Sequence, residues 1–114
     1  EYIGKYCSGP LVYLPGSESR YGNTEYILLQ KIIEKVSGLS FEENLAKHIL
    51  HPLQMRNTGM YDEKNAPENV VTSYTWEDSL KTLTRDQPYL PEMYFGAGGM
   101  YSTAEDLLAF DQGL

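Results

Sequence analysis

From Thr24 to Val36 the apolar residues Leu28, Leu29, Ile32, Ile33 and Val36 recur on one stripe, while Gln30, Lys31, Glu34 and Lys35 take the opposite face. This i, i+3, i+4 spacing predicts an amphipathic helix docked on a core. Asn23 or Thr24 is placed to cap its start, because a side-chain oxygen there can accept from the free amides of the first turn. Lys35 in the last turn and Gly38 just beyond it mark the end. Burying all five stripe residues would contribute roughly 1.5–3 kcal/mol each, which would make this helix the anchor of the fold.

A second helix is predicted over 41–50. Ser40 followed by Glu43 is a capping-box signature, Phe41, Leu45, Ile49 and Leu50 form a stripe, and Pro52 forces a stop. The run HPLQMRNTGM then turns the chain, with Leu53 and Met55 expected against the core, and 62–69 reads as a charged surface loop. Residues 70–76 and 80–84 are rich in β-branched and aromatic types and flank a Glu77-Asp78-Ser79 turn, which predicts a small hairpin. Two prolines between Arg85 and Met93 impose an extended or looping path. Three glycines in the four positions 96–99 permit a close backbone approach, and Thr103, with Asp106 three residues on, caps a last helix bearing Leu107, Phe110 and Leu114 on one face. The first fourteen residues keep no period and read as an irregular lead-in. The fold class is mainly α with a small β hairpin, an α+β arrangement in a single domain over residues 1–114.

Charge narrows the range of partners. A net charge of −7 over 114 residues excludes nucleic acid, which requires a clustered basic surface. No run of about 18 apolar residues offers a membrane span, and Cys7 has no second cysteine to pair with. His48 and His51 stand three apart at a helix end, but no cysteine or carboxylate completes a metal set around them. Glu42 and Glu43 point in different directions on a helix and suit its dipole rather than acid/base work. The glycines of 96–99 lack the following Lys-Ser/Thr of a phosphate loop. No metal and no cofactor is expected.

Three motifs carry a resemblance: Tyr21-Gly22-Asn23 before the first helix, Pro52-Leu53-Gln54-Met55-Arg56-Asn57-Thr58 after the second, and Gly98-Gly99-Met100-Tyr101-Ser102-Thr103-Ala104-Glu105-Asp106 opening the last. In this order they resemble the serine β-lactamase and penicillin-binding-protein superfamily, particularly the class C and esterase/DD-peptidase-related branch. That family has Tyr-x-Asn, Pro-Leu-Gly-Met-x-x-Thr and Gly-Gly-x-x-Ser-Thr-x-x-Asp. Gly22 replaces its usual Ser or Ala, and Gln54 stands where it has Gly. The nucleophile motif Ser-x-x-Lys is absent: three positions before the lysines stand Tyr2, Leu28, Ile32, Asn44, Tyr61 and Asp78. The later Lys-Thr-Gly or His-x-Gly strand is absent too. What remains resembles the helical subdomain of the β-lactamase/transpeptidase-like fold, an excised middle that begins at Glu1 without a methionine and ends at Leu114 within helical patterning.

The resemblance implies a serine hydrolase acting on a β-lactam, peptide or ester through an acyl-enzyme, outside the cytoplasm, with this chain as one wall of the cleft. It assigns Tyr21 to proton transfer for the serine, Asn23 to hydrogen bonding with a substrate amide, and Gly98 and Gly99 to the edge of the substrate cleft. A phenol is a poor base at neutral pH unless cations stabilise its anion. With the lysine missing, the chain by itself is expected to be inactive. Its partners would be the absent α/β part of the same protein and a small-molecule or peptide substrate, with self-association through exposed apolar surface. Ten tyrosines support a rival reading, a stand-alone module presenting aromatic platforms to a glycan or peptide. A relative that has lost its nucleophile and kept a structural role is a third.

Overall fold

The computed structural model describes residues 4–5, 8–62, 64, 67–86 and 95–114. Helix α1, Thr24–Ser37, ends at Gly38 in the left-handed conformation (φ 72°), whose N–H returns to the Glu34 carbonyl. Its start differs from the prediction. Asn23 is itself helical in backbone, and no side chain caps the first turn.

The buried face of α1 is also not the apolar stripe. Ile27 and Gln30 are 3% and 4% exposed, whereas Leu29, Ile32, Ile33 and Val36 are exposed, Val36 to 82%. The reason is the short 3₁₀ turn Phe95–Ala97, which docks on the other side of the helix. Gly96 N donates to Gln30 Oε1 at 2.7 Å. A Cβ at Gly96 would lie 2.9 Å from the Tyr26 carbonyl oxygen and 3.0 Å from Gln30 Cβ, so only a glycine lets the backbone rest there. Gln30 is tolerated in the interior because both ends of its carboxamide are used, Nε2 donating to Glu34 Oε1 at 2.9 Å.

The predicted second helix forms with two geometries. Helix α2, Phe41–Leu45, opens with a complete capping box: Glu43 N donates to Ser40 Oγ at 3.1 Å and Ser40 N to Glu43 Oε2 at 2.8 Å. The turn then widens into a π-helix over Ala46–Leu50, where His51 N reaches back to the Ala46 carbonyl at 2.9 Å. Pro52 follows, with no amide proton to continue the ladder. Asn44 is buried and ties this helix to the end of α1, its Nδ2 donating to Ser37 Oγ at 2.8 Å and to the Ser40 carbonyl at 2.9 Å. Leu50 and Met55 are buried and Leu53 half-buried, as the turn was expected to place the last two.

Among the described residues two antiparallel ribbons form. Strand β1, Gly59–Met60, pairs with β4, Met100–Tyr101, in the register Gly59↔Tyr101 and Met60↔Met100. The hairpin pairs β2, Tyr74–Glu77, with β3, Thr82–Arg85. Its strands start later than predicted because the loop takes four residues, 78–81, and closes with Lys81 at φ 50°. Val70 and Val71 lie outside the strands. Helix α3, Ala104–Gly113, is capped as read, Asp106 N donating to Thr103 Oγ1 at 3.2 Å. Leu107 and Leu114 on its expected apolar face are nevertheless exposed, and Phe110 is half-buried. In the lead-in Gly4 and Lys5 are helical, while 8–20 keep no regular element. Most of the stretch expected to loop between Arg85 and Met93, and residues 63, 65 and 66 of the 62–69 loop, lie outside the described residues.

Candidate functional site

The amino end of α1 presents Tyr21, Gly22 and Asn23. Tyr21 is 91% exposed. It lines a shallow depression of about 290 Å³ with Ser19, Arg20, Gly22, Glu25 and Tyr26. Arg20, the nearest cation in sequence, is engaged elsewhere: its Nη2 lies 3.3 Å from Glu18 Oε2 and its guanidinium carbon 5.5 Å from the centroid of the Tyr13 ring. Among the described residues, no hydrogen bond is made by the Tyr21 hydroxyl.

Asn23 is half-buried and does not cap the helix. Sequence left two roles for it, and the structure removes the capping one. Its carboxamide has no partner among the described residues, so a donor and an acceptor remain uncommitted at the helix start.

The glycine segment reaches this region through Gly96, which rests on Tyr26, about one turn of α1 beyond Asn23. Glu34 holds the contact in place. The Lys31 ammonium at 2.6 Å, and then the Gln30 amide, keep its carboxyl below the usual range, so it stays charged and fixes the Gln30 side chain with Oε1 toward Gly96. Gly98 is exposed, and Gly99 accepts from Tyr61 N at 2.6 Å. Gly99 borders a second and larger cavity that Tyr21, Asn23 and Gly98 do not line. The four predicted site residues thus fall in two places, joined by the backbone that runs from Gly96 to Gly99.

Sequence reasoning placed Gln30 on the solvent face and did not foresee its part in holding the glycine turn. Nor did it foresee that Asp106 joins two motifs: its Oδ2 accepts from Asn57 N at 2.8 Å and from Thr58 Oγ1 at 2.7 Å. The available signal was that Thr58 and Asp106 are the polar ends of two of the three resembling motifs. His48 and His51 are exposed, and among the described residues no group of three or more His, Cys, Asp or Glu could hold a metal. No helix among them is long and apolar enough to cross a membrane.

Comparison with known proteins adds three findings. The Beta-lactamase family model matches residues 1–114. Over 87 residues, 76% of the chain, the sequence is 32% identical to the teichoic acid D-alanine hydrolase of Staphylococcus aureus, of which it spans 21%; the chain thus covers about a fifth of the length of the curated relatives it matches. Among solved structures, the octameric penicillin-binding protein homologue from Pyrococcus abyssi superposes with a TM-score of 0.76 at 37% identity, over 89% of this chain and 22% of that one. A penicillin-binding protein from Bacillus halodurans shares the fold with a TM-score of 0.81 at 23% identity, over 98% of this chain and 34% of that one.

Proposed function

Because the chain belongs to the Beta-lactamase family, we propose that it forms one wall of the active-site cleft of a serine hydrolase whose nucleophile comes from residues outside it. The observation that carries this reading is the amino end of α1, where an exposed phenol and an uncommitted carboxamide stand about one helical turn from the docked glycine segment. In the complete site, a serine hydroxyl attacks the acyl carbon of the substrate, the carbonyl carbon becomes tetrahedral, and the leaving group departs with a proton to give an acyl-enzyme that water then cleaves. Tyr21 serves the proton transfers at the serine and the leaving group. Asn23 hydrogen-bonds an amide of the substrate, and Gly98 and Gly99 allow the substrate to pass close to the backbone. The name of the Staphylococcus aureus relative supports substrates that carry D-alanine.

Alone, the chain has no Ser-x-x-Lys pair and is expected to form no covalent intermediate. Incubation with a fluorescent penicillin followed by intact-mass measurement should show unmodified protein; a stoichiometric adduct would overturn the reading. Its positive half is tested by grafting the chain in place of the corresponding residues of the teichoic acid D-alanine hydrolase. Tyr21→Phe in that chimaera should lower turnover by about 10²–10⁴-fold with the fold intact. Equal D-alanine release with and without the hydroxyl would remove Tyr21 from the chemistry. The rival binding-module reading has Tyr74 and Trp76 in its favour, exposed at i and i+2 on one face of the hairpin.

A further inference from the structure

An open cavity of about 770 Å³ lies between the free end of the hairpin and the β1–β4 ribbon. Arg56, from the turn after the π-helix, and Arg85, at the end of β3, both line it. Both are exposed, and neither has an ion pair or hydrogen bond among the described residues. In a chain with 16 acidic and 9 basic residues, two unpaired guanidiniums facing one cavity run against the general charge. Asn57 and Asn69 also line it, and their carboxamides likewise have no partner among the described residues.

Among the described residues one carboxylate shares the wall, and it is already engaged. Asp86 Oδ2 accepts from Ser73 Oγ at 2.5 Å, and Asp86 N donates to the Ser73 carbonyl at 3.0 Å. The Ser73 hydroxyl first, and Thr75 after it, hold the Asp86 carboxyl below its usual range. It is therefore charged at neutral pH but bonded to hydroxyls rather than to either arginine. Among the described lining residues, two guanidiniums stand against one carboxylate, one net positive charge.

We propose that this cavity is a subsite for a ligand carrying a phosphoryl group, gripped by Arg56 and Arg85 from two separate segments of the chain with Asn57 and Asn69 donating to the remaining oxygens. A carboxylate offers two oxygens in a plane, which one bidentate arginine satisfies. Two arginines and two carboxamides match the larger, three-dimensional acceptor set of a phosphoryl group. The cavity lies within the range of about 300–1,000 Å³ usual for small-ligand sites, more than a bare oxyanion needs, and Val70, Val71 and Met100 supply an apolar flank for an organic portion. Tyr21 and Asn23 do not border the cavity, which shares only the Gly99 backbone with the acyl-transfer reading.

The test is a titration of the 114-residue chain, followed by amide and arginine side-chain NMR at low ionic strength, with inorganic phosphate, glycerol 3-phosphate, glycerophosphoglycerol and glycerol as probes. Saturable shifts around Arg56 and Arg85 are expected with both organic phosphates, which distinguish a monoester from a diester ligand by whichever binds tighter. Inorganic phosphate should bind more weakly, glycerol should give no shift, and affinity should fall as salt rises to about 0.15 M. Arg56→Gln and Arg85→Gln should each weaken binding by about tenfold, while Arg20→Gln, outside the cavity, should leave it unchanged; unaltered amide spectra elsewhere certify the fold. Absence of saturable binding, inorganic phosphate binding as tightly as the esters, or full binding by the double Arg56→Gln/Arg85→Gln variant would overturn the proposal.

Discussion

Thr58 Oγ1 donates to Asp106 Oδ2 at 2.7 Å across 48 positions of sequence, and both residues are buried. The same carboxylate oxygen accepts from Asn57 N, and the Ser102 hydroxyl lies 2.8 Å from Thr58 Oγ1. Asp106 N in turn donates to Thr103 Oγ1. The segment that closes the second helix and the segment that opens α3 are therefore fastened by one charged acceptor, which also fixes how the glycine run enters α3.

Removing that acceptor strands two donors. Asp106→Ala leaves the Asn57 amide and the Thr58 hydroxyl without their partner, and it should destabilise the fold by about 2–4 kcal/mol, since hydrogen bonds to a charge and buried unpaired groups each count for about 1–3 kcal/mol. Thr58→Val should cost less, about 1–2 kcal/mol. A double-mutant cycle read from denaturant midpoints should give a coupling of about 1 kcal/mol or more. Additive losses would mean that the two side chains are not energetically joined.

Apart from the Asn23 cap, signals confined to neighbouring residues were legible in the sequence. The Ser40/Glu43 capping box, the Thr103 cap and the Gly38 terminus all occur as read, because each depends on a few adjacent residues. The orientation of α1 was not legible. Its apolar stripe is real, but which face is covered depends on where residues 95–97 dock, and that rests on Gly96 packing against Tyr26 and Gln30, far away in sequence. The β1–β4 pairing spans two residues per strand and leaves no alternation to detect. At the site, Tyr21 and Asn23 stand out only through the motif they resemble. The uncommitted state of the Asn23 carboxamide is a matter of backbone angle, which composition does not encode.

Gln54 occupies a position where the resembling family has glycine, and its backbone shows why glycine suits it. It sits at φ 56°, left-handed, in the turn that follows Pro52. A side chain in this region costs roughly 1–2 kcal/mol, partly offset by the greater freedom glycine has when unfolded. Gln54→Gly should therefore stabilise the chain by up to about 1 kcal/mol, whereas Gln54→Ala should give no such gain. Thermal midpoints of the two variants decide between backbone strain and loss of the side chain itself.

Among the described residues, hydrogen bonds hold the carboxyls of Glu34, Glu43, Glu77 and Asp86 below their ordinary values. In the capping box, the Ser40 amide and then its hydroxyl hold Glu43 below the ordinary value of 4.5; for Glu77 the Ser79 hydroxyl and then its amide do so. A carboxyl lowered in the folded state stabilises above its unfolded value and loses that contribution as pH falls through its folded value. Stability should thus be level near neutrality and decline on acidification below the ordinary carboxylate range. Glu43→Gln should be less stable than the parent at neutral pH, and the two should converge in acid. Circular-dichroism melts across the acid range check this; curves that stay parallel would remove the Glu43 charge from the cap.

The ridge of Leu29, Ile32, Ile33 and Val36 on α1 is exposed along consecutive turns, and fully burying such side chains is worth roughly 1.5–3 kcal/mol each. We propose that this continuous apolar ridge is a surface for another body. This chain spans 21% of its curated relative, so the rest of a longer hydrolase is one candidate to cover the ridge, and a second copy is the other when the chain is alone. Ile32→Gln with Val36→Gln breaks the ridge at its most exposed turns while keeping good helix formers, so stability should change by no more than about 0.5 kcal/mol. Sedimentation velocity of the parent should show association growing with concentration, and the double variant should remain monomeric. A parent that stays monomeric at high concentration would show that the ridge does not drive association by itself, whatever covers it in a longer protein.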